Sequence, residues 1–281
     1  MGAIALSVIG GGIDHPEGIC WDPAGSIVVG TEAGGLLWLD PADGSVQRSF
    51  QVGAGLMAGI AIDGDGRAYA CDVPGHRVAR VDPRTGDVST FTTGPADRPL
   101  VTPNYPVFHV SGRLYVSDSG TWGANDGRVV VVEPDGTSRT LSAEPAAYTN
   151  GMALSPDGAY LYVVESSLPG ISRLPLREDG SAGPRELVVN MPRTVPDGIA
   201  FTADGLLLIT CYRPDAVFTW DGSTLGTLVE DWSGLVLSAP TNIAFIGPGC
   251  DQLVSANLAG WHLTRIEAGL VGVPLHHPRV G

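Results

Sequence analysis

The chain has 281 residues, a formal net charge of −14 at pH 7, 39 glycines and 22 prolines. Binding to nucleic acid or to an anionic membrane draws on clustered lysine and arginine, so this charge argues against both partners. The four cysteines, Cys20, Cys71, Cys211 and Cys250, are widely separated without CxxC spacing, which favours buried free thiols over a disulfide or a metal role. Because the first residues lack the basic start and long apolar core of a signal peptide, we predict a cytoplasmic protein.

A short apolar strand over residues 4–9 is followed by one phrase that returns six times, at intervals of about 45 residues. Five of the six copies open with a carboxylate or amide residue, four have a glycine in second place, and mainly apolar residues follow. The six copies open at Glu17, Ala58, Asn104, Asn150, Asp197 and Asn242. In the first five, a further glycine lies eight positions after the opening residue, at Gly25, Gly66, Gly112, Gly158 and Gly205.

Each copy continues into strand-forming sequence and tight turns. The runs at 26–29, 113–116, 160–164 and 206–210 are rich in β-branched, aromatic and leucine residues, and Asp-Pro or Asp-Gly turns follow at 40–41, 82–83 and 135–136. One repeat therefore supplies about four short strands, the content of one propeller blade. With no convincing helical period, the pattern predicts an all-β fold: a six-bladed β-propeller with four antiparallel strands per blade, forming a single domain over residues 1–281. The strand over 4–9 would pair with the last blade and close the ring.

The opening residues of the six phrases are the candidate functional residues. In a propeller the innermost strand of each blade lines the central channel, so these residues should form a ring at one mouth. Two carboxylates and three amides converging from separate blades offer hard oxygen ligands that suit Ca²⁺ or Mg²⁺, and Mn²⁺ or Zn²⁺ could also fit. A single Asn or Asp often only bonds turn backbone, but recurrence in register across the repeats favours a binding site.

Three of the phrases resemble the metal-ligand motifs of the senescence-marker-protein, gluconolactonase and luciferin-regenerating-enzyme family. They are Glu17-Gly18 with Trp21, residues 150–158 (NGMALSPDG) and residues 196–200 (PDGIA), and the resemblance extends over essentially the whole chain. It implies a six-bladed propeller that holds one divalent cation through Glu17, Asn150 and Asp197. We expect this cation to be Ca²⁺. The resemblance also implies hydrolysis of a lactone, with Asn104 contacting the substrate. Asp197 is the candidate general base. It would take a proton from the water molecule that attacks a carbonyl group polarised by the cation.

The chain departs from the family pattern at one place. The members that act on sugar lactones carry a motif similar to Arg-x-Asn-Asp, whereas this chain has Thr102-Pro103-Asn104-Tyr105. An arginine that would hold sugar hydroxyls is replaced by Thr102, and Tyr105 stands where an acid is expected. We therefore predict an aromatic face from Tyr105 at the pocket mouth and a preference for a less polar lactone or another ester-like electrophile.

Four further residues complete the predicted substrate site. Trp122 lies in a long glycine-rich segment, residues 119–127, which predicts either a lid or an ordinary connecting loop. His15 and Tyr148 each precede a predicted ligand by two residues and are candidates for the pocket wall, although a rim histidine without a role is an alternative. Asn242, the last opening residue, is placed with the substrate contacts. The pair His276-His277 is expected to be part of a solvated tail.

Two other classes of function stay open at this point. Propellers resembling strictosidine synthase perform synthase or lyase chemistry in a similar pocket without a metal, and the presence of the ligand set in this chain argues against that class. A non-enzymatic interaction platform would be expected to repeat surface features between blades, whereas the recurring polar positions here point into the channel. Lack of a Gly-x-Ser-x-Gly motif argues against a covalent esterase.

Overall fold

The predicted six-bladed propeller is confirmed. The structure, a computed structural model, describes residues 4–281 and contains 24 strands arranged as six sheets of four antiparallel strands. Over this range no helix is present, and hence none long and apolar enough to cross a membrane.

The strands follow one another in blade order. The first three blades are β2 (Ile19–Asp22), β3 (Ser26–Gly30), β4 (Gly35–Leu39) and β5 (Val46–Gln51); β6 (Met57–Ile62), β7 (Ala68–Asp72), β8 (Arg77–Val81) and β9 (Val88–Thr92); and β10 (Pro103–Phe108), β11 (Leu114–Asp118), β12 (Arg128–Val132) and β13 (Ser138–Ser142). The next two are β14 (Thr149–Leu154), β15 (Tyr160–Glu165), β16 (Gly170–Pro175) and β17 (Glu186–Asn190); and β18 (Val195–Phe201), β19 (Leu207–Arg213), β20 (Ala216–Trp220) and β21 (Leu225–Glu230). The sixth blade contains β22 (Pro240–Ile246), β23 (Gln252–Asn257), β24 (Leu263–Glu267) and β1 (Ala5–Ile9).

The ring is closed by the first strand of the chain. Strand β1 pairs antiparallel with β24, in a register that runs from Ala5 opposite Glu267 to Ile9 opposite Leu263. The predicted strand over residues 4–9 is thereby confirmed as the outermost strand of the sixth blade. Because the two ends of the propeller share one sheet, the first and last blades cannot separate without breaking this pairing.

Burial falls from the axis to the rim of the propeller. The innermost strands β6 and β22 are buried throughout, whereas the outermost strands β5 and β9 are mostly exposed. Apolar side chains of neighbouring blades fill the wedges between sheets. Tyr69, for example, packs edge-to-face with Phe91 at 4.8 Å and with Phe108 at 5.0 Å between ring centroids.

Glycine at the second position of the phrase allows neighbouring innermost strands to touch through their backbones. A Cβ atom at Gly18 would lie 2.1 Å from the carbonyl oxygen of Ala58, and one at Gly198 would lie 2.5 Å from that of Thr241. The same contact occurs at Gly151, 2.5 Å from the carbonyl oxygen of Asp197. These close approaches bring the opening residues of successive blades together around the axis.

We expect Gly18→Ala to destabilise the protein by about 1–3 kcal/mol, because the new methyl group forces the first and second blades apart. Urea unfolding measures this effect. Gly11→Ala is the matched control, because a Cβ there meets no atom within 4 Å. Equal stability of the two variants would contradict this account of the packing.

The four cysteines are free thiols, as the sequence predicted. Cys20, Cys71 and Cys211 are buried on strands, and Cys250 is half-buried in the turn between β22 and β23.

Candidate active site

The opening residues of the six phrases meet at one mouth of the channel, which we call the upper mouth. They lie at or just before the innermost strands, and these strands contact one another in the closed cycle β2, β6, β10, β14, β18, β22. Five of the six positions carry polar side chains that are nevertheless buried, with exposed fractions between 1% and 8%. These are Glu17, Asn104, Asn150, Asp197 and Asn242, and Ala58 is the apolar sixth. We call these five side chains the oxygen ring.

The oxygen ring contains buried oxygen atoms without hydrogen-bond partners. Among residues 4–281, six buried side-chain nitrogen or oxygen atoms are in this condition, and five of them belong to the ring: Glu17 Oε2, Asn104 Oδ1, Asn150 Oδ1, Asp197 Oδ1 and Asn242 Oδ1. A buried polar atom left without a partner costs about 1–3 kcal/mol, so five together are unfavourable unless a positively charged group binds them. Carboxylate and amide oxygens from separate strands are the ligands that hard divalent cations take, and the residues present fit such an ion.

Two of the amides donate hydrogen bonds through their nitrogen atoms, which leaves their oxygen atoms free to bind a cation. Asn150 donates its Nδ2 to Ser166 Oγ at 3.1 Å, and Ser166 donates in turn to the carbonyl oxygen of Pro196 at 2.7 Å. Asn242 donates its Nδ2 to the backbone oxygen of Glu17 at 3.1 Å. The Asn150 and Asn242 amides are therefore held in orientation through their nitrogen atoms, as the outer partners of metal-binding residues do.

The ionised forms of the two ring carboxylates are disfavoured by burial, and for Glu17 also by the nearby charge of Asp197. Burial raises the pKa of Glu17 well above its usual range, and the nearby charge of Asp197 raises it further, against an opposing contribution from the amide of Asn242. Burial also raises the pKa of Asp197, to about 8, although a hydrogen bond from Asn150 opposes the shift. Two buried carboxylates that repel each other would be relieved by a cation between them.

Tyr148 and Trp122 form one wall beside the ring. Burial raises the pKa of Tyr148, and the charges of Asp197 and Glu17 raise it further. The ring of Trp122 contacts that of Tyr148 at 4.8 Å, and Trp122 itself is 57% exposed. The segment over residues 119–127 therefore reaches the upper mouth, where a lid would have to be. Its closure over a substrate stays a prediction.

Thr102 supports this loop. Its hydroxyl group donates to the carbonyl oxygen of Gly120 at 2.9 Å, and its backbone nitrogen donates to Asp118 Oδ1 at 2.7 Å. The predicted substrate contact of Thr102 stays a prediction, but the structure already engages its hydroxyl group in positioning the loop that carries Trp122.

His15 lies on the opposite side of the upper mouth. Its Nδ1 atom is 3.1 Å from both Asp14 Oδ1 and Glu32 Oε2, and its ring packs on Trp261 at 4.7 Å. Trp261 was not among the residues predicted from the sequence. No local signal marks this residue, because it reaches His15 only when the last blade closes onto the first.

Tyr105 lies deeper in the channel than the sequence predicted. It lines an apolar cavity of about 300 Å³ below the oxygen ring, where its Cδ2 atom would be 2.6 Å from a Cβ at Gly59. A β-bulge lies between Pro103 and Tyr105, and successive residues of a strand point to different sides. The expected aromatic face at the upper mouth is therefore not made by Tyr105, and Trp122 and Tyr148 occupy that place.

The C-terminal segment corrects a second expectation. His276 and His277 line the lower end of the same cavity instead of extending as a solvated tail. The Nδ1 atom of His277 lies 2.8 Å from the carbonyl oxygen of Ile62, and Val280 is completely buried. This segment therefore packs across the lower mouth, away from the oxygen ring.

Comparison with known proteins places the chain in a family. A family model described as an SMP-30/gluconolactonase/LRE-like region matches residues 15–256. A 6-deoxy-6-sulfogluconolactonase of Pseudomonas putida is 30% identical over 274 residues, covering 86% of this chain and 85% of the relative. Lactonase drp35 of Staphylococcus saprophyticus is 28% identical over 253 residues, covering 85% and 76%.

Two solved structures share the fold. A gluconolactonase from Xanthomonas campestris superposes with a TM-score of 0.79 at 20% identity, covering 96% of this chain and 90% of its own. Regucalcin from Agrobacterium tumefaciens, described as a calcium-binding protein, gives a TM-score of 0.75 at 20% identity and covers 98% of both chains. Since the family model spans most of the sequence and the fold agrees, this chain is a member of the SMP-30/gluconolactonase/LRE-like family.

Proposed function

We propose that this protein is a divalent-cation-dependent hydrolase that opens a lactone ring. The observation that carries the proposal is the ring of five buried, unpartnered oxygen atoms at the upper mouth of the channel. A polarised carbonyl needs positive charge beside it, and these oxygens can hold that charge in a buried site. The names of the lactonase and gluconolactonase relatives support the same reaction class.

We assign different roles to the residues of the ring. Glu17, Asn150 and Asp197 hold the cation, which when bound supplies a Lewis acid for the lactone carbonyl. Asp197 also accepts a proton from the attacking water. Water oxygen bonds to the carbonyl carbon, the ring C–O bond breaks, and the proton passes to the leaving alkoxide, giving a hydroxy acid. Asn104 and Asn242 orient the substrate through their free amide oxygens.

Calcium is the cation we propose. The three residues assigned to the cation, Glu17, Asn150 and Asp197, offer oxygen donors and no nitrogen or sulfur donor, which matches the preference of Ca²⁺ for oxygen ligands, and water and substrate would supply the remaining ligands. A calcium-binding structural neighbour supports this choice. Mg²⁺, Mn²⁺ and Zn²⁺ are the alternative cations for this site. The cytoplasmic location of the protein is a separate prediction.

The test combines metal analysis with a lactone panel. We expect the purified protein to hydrolyse at least one sugar, aliphatic or aromatic lactone with Ca²⁺, to lose this activity after chelation, and to regain it when Ca²⁺ is restored. Glu17→Gln should require much higher Ca²⁺ concentrations, whereas Glu186→Gln, on an exposed outer strand, should behave as wild type.

Two outcomes would contradict the proposed function. Full activity after chelation would remove the cation from the mechanism. Lack of lactone hydrolysis by calcium-loaded protein would favour the synthase or lyase class, or a binding platform.

A further inference from the structure

Two aromatic pairs flank the oxygen ring at the upper mouth. One pair is Tyr148 with Trp122, at a centroid distance of 4.8 Å, and the other is His15 with Trp261, at 4.7 Å. Their places in the blade order are opposite. The first pair lies at the boundary of the third and fourth blades and the second at the boundary of the sixth and first, half a turn apart in a six-bladed ring.

The inner member of each pair is held in a strained backbone conformation. His15 has a φ angle of 37° and Tyr148 one of 58°, in the left-handed region that non-glycine residues rarely adopt. Each immediately precedes the segment that carries a ligand, two residues before Glu17 and Asn150 respectively. Such strain persists where the surroundings impose it and clusters at binding sites.

The outer member of each pair is a tryptophan that the fold leaves accessible. Trp122 is 57% exposed and Trp261 is 52% exposed, although each has one aromatic neighbour. An indole ring backed by a second ring presents a rigid apolar surface, and binding a flat apolar group to it costs little side-chain entropy. The two pairs therefore offer the same kind of surface on both sides of the ring.

Hydrogen bonds restrict the ring orientation in the second pair. His15 Nδ1 lies 3.1 Å from Asp14 Oδ1 and from Glu32 Oε2, and Asp14 Oδ2 accepts a hydrogen bond from the backbone nitrogen of Ala33 at 2.8 Å. The imidazole is thus held beside the loop between β3 and β4, and its ring contacts that of Trp261 at an interplanar angle of 58°.

We propose that these two pairs form an aromatic clamp that selects a lactone carrying a flat apolar group, such as a fused aromatic ring. The clamp consists of His15, Trp261, Tyr148 and Trp122. This inference rests on the proposed function, because it names the substrate class of the same site. It assigns a specificity role to Trp261 and to both sides of the mouth, and it places the reacting carbonyl between them, over the oxygen ring.

The experiment compares three lactones with calcium-loaded protein: dihydrocoumarin, δ-valerolactone and glucono-δ-lactone. Trp122→Ala and Trp261→Ala should each raise KM for dihydrocoumarin by about threefold to tenfold, with kcat little changed. KM for the other two lactones should change less than twofold. Because the two tryptophans lie on opposite sides, the double variant should show the product of the single effects.

Trp232→Ala is the matched control. Trp232 is 92% exposed on the loop that leads into the sixth blade, and it belongs to neither aromatic pair. It should leave all three KM values unchanged. Trp261→Phe and Trp122→Phe should recover most of the affinity for dihydrocoumarin, which a general loss of folding would not allow.

Binding of chroman, the ether that lacks the carbonyl of dihydrocoumarin, separates the clamp from the catalytic proposal. Calorimetry should show that the two Trp→Ala variants weaken chroman binding and that Trp232→Ala does not, whether or not any lactone is hydrolysed. Equal KM values for dihydrocoumarin in all three variants, or chroman binding that is insensitive to Trp122 and Trp261, would overturn the clamp. If the calcium-loaded wild-type protein hydrolyses none of the lactones but binds chroman through Trp122 and Trp261, the proposed function is wrong and the aromatic clamp stands.

Discussion

Replacing Asp197 with asparagine is expected to lower kcat for lactone hydrolysis by about two to four orders of magnitude while the propeller stays folded. Asparagine keeps the shape of the side chain and one oxygen for the cation, but it cannot accept a proton from water. Because the variant also removes a buried charge, the metal-free protein should become more stable near pH 8, where Asp197 of the wild type ionises. Steady-state kinetics at saturating Ca²⁺ and thermal unfolding measure the two effects.

Two further variants make this prediction specific. Asn242→Ala removes one neutral oxygen of the ring and should reduce kcat far less than Asp197→Asn. Asp157→Asn changes an exposed turn residue and should have no effect on turnover. Near-wild-type hydrolysis by Asp197→Asn at saturating Ca²⁺ would remove this residue from proton transfer, and Glu17 would then be the carboxylate to test as base.

The stability of the metal-free protein is expected to fall as pH rises from about 4 to about 8. Asp197 has a raised pKa of about 8 in the folded state against 3.8 in its usual state, and Glu17 shifts in the same direction. Between these values the folded state binds a proton that the unfolded chain has released, so its stability is complete below the unfolded pKa and is lost as pH rises through the folded pKa. The loss should be measurable as a decrease in the Tm of the metal-free protein over this pH range.

Calcium should oppose this loss. The proposed Ca²⁺ site requires the ionised carboxylates, so the increase in Tm on adding Ca²⁺ should grow from pH 5.5 to pH 8, and binding should release protons below pH 8. Scanning calorimetry with and without chelator, and titration calorimetry in buffers of different ionisation enthalpy, measure both. In Glu17→Gln and Asp197→Asn the pH dependence should be reduced, whereas Asp157→Asn should retain it. A metal-free Tm that rises between pH 5.5 and 8 would contradict the arrangement of the two buried carboxylates.

Much of the site could be predicted from the sequence because its members occupy equivalent positions in a repeat. Glu17, Asn150 and Asp197 begin the same phrase in three blades, and the fold places equivalent positions at equivalent distances from the axis. The glycine that follows each of them lets neighbouring strands approach within backbone contact. The composition of the oxygen ring and the number of blades could therefore be predicted from the sequence.

The remaining features depend on contacts between parts of the chain that no local pattern connects. Trp261 meets His15 only because β1 joins the sixth blade, and the C-terminal segment reaches the second blade across the lower mouth. Tyr105 directly follows Asn104 but lines the cavity below the ring, because successive residues of a strand point to different sides. The sequence by itself determined the repeated strands and the polar residues that open them, since these follow from local periodicity. Tertiary structure decided which aromatic side chains surround those polar residues, since ring closure and strand register bring together residues that are distant in the chain.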